Sequence, residues 1–141
     1  MIEGYSEEEF EAAYKEVYES VTKTGIPQKQ HCVIFLGGQP GSGKSSFYSQ
    51  DDNLSNHIVI DGDRYRRFHP FYDSIIKNDI DNYVQRTQGF VNKCIERLIS
   101  DLSDEGYNII IEGTLRDPDV PIGTCKMLKG KGYTTNLYVV A

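Results

Sequence analysis

The sequence predicts an α/β domain built on a parallel sheet, and three observations carry that reading. Four short apolar runs, at residues 32–36, 58–60, 109–111 and 137–140, alternate with helical or turn-rich stretches at 44–50, 83–102 and 121–129. The runs are continuously apolar rather than alternating, as in strands covered on both faces. A glycine-rich turn joins the first run to the helical stretch after it. With 141 residues in all, the elements must share one core, and the βαβ order makes the strands parallel with right-handed crossovers.

The first element precedes the sheet. Ser6 and Glu9 have the spacing of a capping box, and Phe10, Ala13, Tyr14, Val17, Tyr18 and Val21 recur at helical intervals. This predicts an amphipathic helix with an acidic outer face, ending near Gly25-Ile26-Pro27. Residues 1–28 are expected to form this helix and a linker, and 29–141 the core of the domain. The last run reaches the terminal Ala141 at the edge where open α/β sheets bind ligands, so a piece of a longer protein, truncated at its carboxyl end, is expected.

Composition narrows the function classes. Fifteen Lys and Arg against 21 Asp and Glu give a formal charge of -6, which disfavours a nucleic-acid partner. No run approaches the roughly 18 apolar residues of a membrane helix, and the start lacks a basic then apolar signal region. Cys32, Cys94 and Cys125 form no CxxC pair and cannot all be bridged, which points to a reducing cytoplasm.

The chemistry begins at Gly38-Gln39-Pro40-Gly41-Ser42-Gly43-Lys44-Ser45, a full match to G-x-x-x-x-G-K-[ST] between a strand and a helix. Its glycines let successive N–H groups face inward as an anion nest, capped by a helix amino terminus. Lys44 adds a charge that reaches the β and γ phosphates, and the Ser45 hydroxyl suits Mg²⁺. The nucleotide site therefore comprises Gly38, Gln39, Pro40, Gly41, Ser42, Gly43, Lys44, Ser45 and Ser46. The fold class sharpens to a P-loop NTPase with at least four parallel strands and helices on both faces. No Asn/Thr-Lys-x-Asp base reader is present, which favours a small-molecule kinase over a GTPase switch.

Two strands end in acids. Asp61-Gly62-Asp63 follows the second run and Glu112-Gly113-Thr114 the third, so parallel strands would bring Asp61, Asp63, Glu112 and Thr114 to the phosphate edge. Phosphoryl transfer needs a metal on the phosphate oxygens, cations that match the transition-state charge, and a base for the acceptor hydroxyl. Asp63, two residues past its strand, is the base candidate. Asp61 is placed to support the metal shell or to brace the loop, and Glu112 and Thr114 to hold acceptor hydroxyls or amides. Arg64, Arg66, Arg67 and His69 form a dense basic patch, with Arg66 and His69 suited either to acceptor phosphates or to the acidic surface. Arg116 adds a second cation to the same edge and, with Lys44 and Asp63, completes the candidate catalytic set.

Together these segments resemble the zeta toxin family. The resemblance rests on Gly37 to Ser45, on 56–72 with Val59-Ile60-Asp61-Gly62-Asp63, Arg66 and His69-Pro70, and above all on Gly106-Tyr107-Asn108-Ile109-Ile110-Ile111-Glu112-Gly113-Thr114-Leu115-Arg116. Asp119-Val120-Pro121 and Lys131-Gly132-Tyr133 extend it to cover about residues 30–141. It implies a kinase that uses ATP (or GTP) and Mg²⁺ to phosphorylate the 3′-hydroxyl of the sugar in UDP-N-acetylglucosamine. By the same resemblance Lys44 contacts phosphate, Asp63 is the base, Glu112 and Thr114 hold the nucleotide sugar, and a small helical antitoxin blocks the nucleotide site.

It also implies a strand order in which the strand ending at Asp61 lies at one edge, followed by the strand ending at Glu112, the P-loop strand and the carboxy-terminal strand. The sequence departs from the family's pattern in lacking the later lid segment whose arginines clamp the transferring phosphate. A catalytically incomplete nucleotide-binding or protein-interaction module is therefore the alternative, beside another small-molecule or polynucleotide kinase.

Overall fold

The computed structural model describes residues 4–23, 25–38, 57–113 and 119–140. The predicted helix at 44–50 lies outside them. Helix α1 (Glu7–Thr22) opens with the complete capping box: the Ser6 hydroxyl accepts from the Glu9 amide at 3.1 Å, and the Glu9 carboxylate accepts from the Ser6 amide at 3.0 Å. Two donors at the helix start are thereby satisfied. The buried stripe is Phe10, Ala13, Tyr14 and Val17, at the spacing the sequence shows.

Strands β1 (Cys32–Gly38), β2 (Ile58–Ile60), β3 (Ile109–Gly113) and β4 (Thr134–Val140) form one sheet in the order β2-β3-β1-β4, every pairing parallel. The order agrees with the one implied by the family resemblance. After β2 the chain makes a 3-10 helix (Gly62–Phe68), then α2 (Tyr72–Asn78), a 3-10 turn (Ile80–Asn82) and the long α3 (Tyr83–Asp104). Helix α4 (Asp119–Gly130) joins β3 to β4. Strand β4 starts three residues before its apolar run, at Thr134-Thr135-Asn136. Among the described residues it lies at the sheet edge and pairs with β1 alone from Cys32 onward, so polar residues there meet no second described strand.

The sheet has two distinct faces. Val33, Phe35, Ile58, Ile60 and Ile109 pack with α1, with Phe90, Leu98 and Leu102 of α3, and with Leu128 of α4. Both crossovers after β2 step across the sheet in the same direction, and a common right hand puts both helices on the same face. On the opposite face Ile34, Leu36 and Ile110 are buried, with Val59 packed against them.

Helices α3 and α4 stop in the same way. Gly106 and Gly132 take positive φ, 85° and 89°, a conformation a side chain would strain. The Tyr107 amide then donates to the Leu102 carbonyl, and the Tyr133 amide to the Leu128 carbonyl, satisfying the last turns. The two ends are joined, because the Tyr133 hydroxyl donates to the Tyr107 carbonyl at 2.6 Å. This ties down the sheet end opposite to the one where the candidate residues gather.

Candidate functional site

Strand register brings the acids together. Ile60 pairs with Ile111, and Leu36 pairs with Glu112, so Asp61, Glu112 and Leu36 stand at one level of the sheet. One residue further on, Gly37 pairs with Gly113 and with Val139. All four strands run the same way, so Gly38, where the glycine-rich loop begins, emerges on the edge that carries Asp61 and Glu112. The rest of the nucleotide site, Gln39 to Ser46 with Lys44 and Ser45, lies outside the described residues, as do Thr114 and Arg116.

Asp61 follows β2 directly and shapes the turn there. Its backbone is extended, and its Oδ1 accepts from the Asp63 amide at 3.2 Å, which caps the 3-10 helix. Oδ2 lies 3.4 Å from Nε of the exposed Arg64. Gly62 is required by packing: a Cβ there would sit 2.7 Å from Cγ1 of Val91 and 3.0 Å from Cδ1 of Ile95, both on α3. The turn therefore rests directly on α3, and this close approach projects Asp63 outward with 81% of its side chain exposed.

Asp63 is nonetheless fixed. Nε and Nη2 of Arg66 both donate to its Oδ1, at 3.1 and 2.9 Å. Arg66 itself is buried, and its other donors go to the Val84 carbonyl and Thr87 Oγ1, each at 3.0 Å, and to Gln88 Oε1 at 2.8 Å. A guanidinium has five N–H groups, and these contacts use all of them.

Every donor of Arg66, which the sequence placed among the candidate acceptor-binding residues, is thus engaged within the protein. His69, the other candidate from this patch, is enclosed within the protein as well. It is 4% exposed, its Nδ1 accepts from the Phe71 amide, and its ring packs against Tyr5, Phe71 and Phe90. The basic patch is dispersed, since Arg64 pairs with Asp61 and the Arg67 guanidinium lies 4.8 Å above the Phe68 ring. Reading the sequence missed Thr87 and Gln88. The i, i+3 spacing of Asp63 and Arg66 was visible, but their partners on α3 lie about 20 residues further on.

The arrangement suits a reaction at one edge: an exposed carboxylate of fixed orientation, a second carboxylate at a strand end, and a glycine-rich turn beginning beside them. Among the described residues no group of three or more His, Cys, Asp or Glu could cage a metal. Asp61 remains a fitting single ligand for Mg²⁺, which takes one or two carboxylates and completes its shell with phosphates and water. No helix among the described residues is long and apolar enough to cross a membrane.

Known proteins are similar to this chain. Residues 15–141 match the family model described as zeta toxin. "Toxin zeta" of Streptococcus agalactiae is 38% identical over 99% of this chain, and "Toxin PezT" of Streptococcus pneumoniae is 38% identical over the same share. "Toxin zeta" of Enterococcus hirae is 47% identical over 77% of the chain. The chain spans about half the length of these relatives, covering 50%, 56% and 39% of them respectively. A solved structure from the PezAT chromosomal toxin-antitoxin system of Streptococcus pneumoniae superposes with a TM-score of 0.91 at 38% identity, covering 99% of this chain and 59% of that one.

Proposed function

The chain belongs to the zeta toxin family, and from that premise we propose that it carries the nucleotide-binding and base-bearing half of a kinase that phosphorylates the 3′-hydroxyl of the sugar in UDP-N-acetylglucosamine. The observation that carries the reading is the common edge: Asp61, Asp63 and Glu112 gather where the glycine-rich loop leaves β1.

In this reading Gly38 to Ser46 cradle the triphosphate of ATP or GTP, and Lys44 neutralises charge on the β and γ phosphates. Asp63 takes the proton of the acceptor hydroxyl as its oxygen attacks the γ-phosphorus; the bond from that phosphorus to the β-phosphate oxygen breaks, and the nucleoside diphosphate leaves. Ser45 and Asp61 would hold Mg²⁺, which supplies charge stabilisation on the phosphates when bound. Glu112 and Thr114 hold hydroxyl or amide groups of the sugar, and Arg116 adds positive charge near the transferring group. The similarity to a chain from a toxin-antitoxin system supports a small antitoxin as a protein partner.

The test incubates the protein at its natural length with ATP, Mg²⁺ and UDP-N-acetylglucosamine, and follows phosphosugar by mass. Asp63→Asn should abolish transfer while ATP affinity stays within a few fold. An active wild type with an equally active Asp63→Asn variant would remove Asp63 from the role of base. ATP binding with the sugar left untouched would overturn the substrate and favour a nucleotide-binding module that acts through protein contacts.

A further inference from the structure

The molecule buries an arginine in order to hold an aspartate that faces water. Only 10% of the Arg66 side chain is exposed, against 81% of the Asp63 side chain. Stability is a weak reason for this arrangement, since an ion pair with one exposed partner adds little and taking a guanidinium out of water is costly. Its clear effect is orientation. Nε and Nη2 converge on the single oxygen Oδ1 and restrict rotation of the carboxylate, and the guanidinium's other donors go to α3 rather than to Oδ2.

The guanidinium is in turn held by α3. Thr87 Oγ1 and the Val84 carbonyl accept from Nη1, and Gln88 Oε1 accepts from Nη2. Thr87 is completely buried and donates its own proton within the helix, to the Tyr83 carbonyl at 2.7 Å. The Gln88 amide is oriented from its other end, where Nε2 donates to Asn92 Oδ1 at 2.8 Å, so its oxygen points at Arg66. A chain of fixed contacts thus runs from α3 through Gln88 and Arg66 to one oxygen of Asp63.

We infer that Arg66 is a positioning residue: held by Thr87 and Gln88, it occupies Oδ1 of Asp63 and presents Oδ2 as the atom that receives the acceptor proton. The inference rests on the reading of Asp63 as base. Lysine in place of Arg66 keeps the charge but loses the planar fork, so it separates orientation from electrostatics.

The experiment uses the natural-length protein with ATP, Mg²⁺ and UDP-N-acetylglucosamine, comparing wild type, Asp63→Asn, Arg66→Lys and Gln88→Leu, with melting temperatures recorded for each. Arg66→Lys should lower kcat about 10- to 100-fold, the range expected for a misplaced catalytic group, while KM for both substrates moves less than about 3-fold. Gln88→Leu, at a half-buried helix position that tolerates the change, should lower kcat by about 3- to 10-fold with the same KM pattern. Neither substitution should reduce the residual rate further when combined with Asp63→Asn, because there is then no base to orient.

Wild-type kcat in both single variants would overturn the inference, as would losses that multiply undiminished with Asp63→Asn. If Arg66→Lys does not fold, Gln88→Leu decides the matter by the same criteria. Full activity in Asp63→Asn points elsewhere, to failure of the base assignment itself. A wild type inactive on the sugar removes the substrate reading and this inference with it.

Discussion

The Tyr14 hydroxyl donates a 2.7 Å hydrogen bond to Oδ2 of Asp101, joining α1 to α3 across 87 residues of sequence. The Arg97 guanidinium reinforces the junction, 4.5 Å above the Tyr14 ring and 2.6 Å from the Glu11 carboxylate. Burial and the neighbouring Asp101 carboxylate hold the phenol far above its usual range, so it remains a donor at any ordinary pH. Tyr14→Phe keeps the ring and removes the bond, and should cost about 1–2 kcal/mol in urea unfolding with an unchanged slope. Nucleotide affinity should not move, since the junction uses none of the candidate nucleotide-site residues.

Gly62 is expected to be intolerant for a packing reason. An added methyl would press on Val91, a branched side chain that is 1% exposed and has nowhere to turn. Gly62→Ala should therefore cost about 1–3 kcal/mol. Because the same shift displaces Asp63, activity should fall further than the loss of folded protein explains, which parallel unfolding and rate measurements would reveal.

The buried thiol of Cys94 gives the fold an alkaline weakness. Burial pushes its pKa from 9.0 up to about 12, and likewise moves the Tyr133 phenol from 10.0 to about 12. Below pH 9 both groups are protonated in either state and the contribution is complete. Above it the unfolded thiol ionises while the folded one keeps its proton, so stability drains away as the pH climbs towards 12. Urea midpoints at pH 8 and pH 10.5 should differ in that direction, and Cys94→Ala should narrow the difference. In a thiol-reagent assay at pH 8, Cys125 and Cys32 should react in the native protein, and Cys94 only on unfolding.

Lys44→Ala should weaken ATP binding by at least about 10-fold, and Ser45→Ala should raise the Mg²⁺ concentration needed for half-maximal activity, as their phosphate and metal roles require. Calorimetry with ATP, with and without Mg²⁺, separates the two. Equal affinity in Lys44→Ala would remove the lysine from the phosphate site.

Much of the architecture was readable because its signals are local. The capping box at Ser6 and Glu9 and the apolar stripe of α1 each depend on neighbours within a few residues. Strand direction followed from the alternation of elements, and with it the expectation that Asp61 and Glu112 share an edge. The features that escaped were determined at long range. A run such as Arg64-Tyr65-Arg66-Arg67 looks uniformly basic, and only the placement of Thr87 and Gln88 separates the buried arginine from its exposed neighbours. The enclosure of His69 was likewise illegible locally, because Tyr5, just ahead of α1, and Phe90, on α3, are what close around it.

The absence of a side chain at Gly62 also bears on how this chemistry could be moved between scaffolds. The acidic turn does not carry its own shape: Val91 and Ile95 mould it from below, while Thr87 and Gln88 steady its arginine from the side. A graft of the turn alone would arrive as a limp loop with a wandering carboxylate. The smallest transplantable unit is the turn together with the first three or four windings of the long helix.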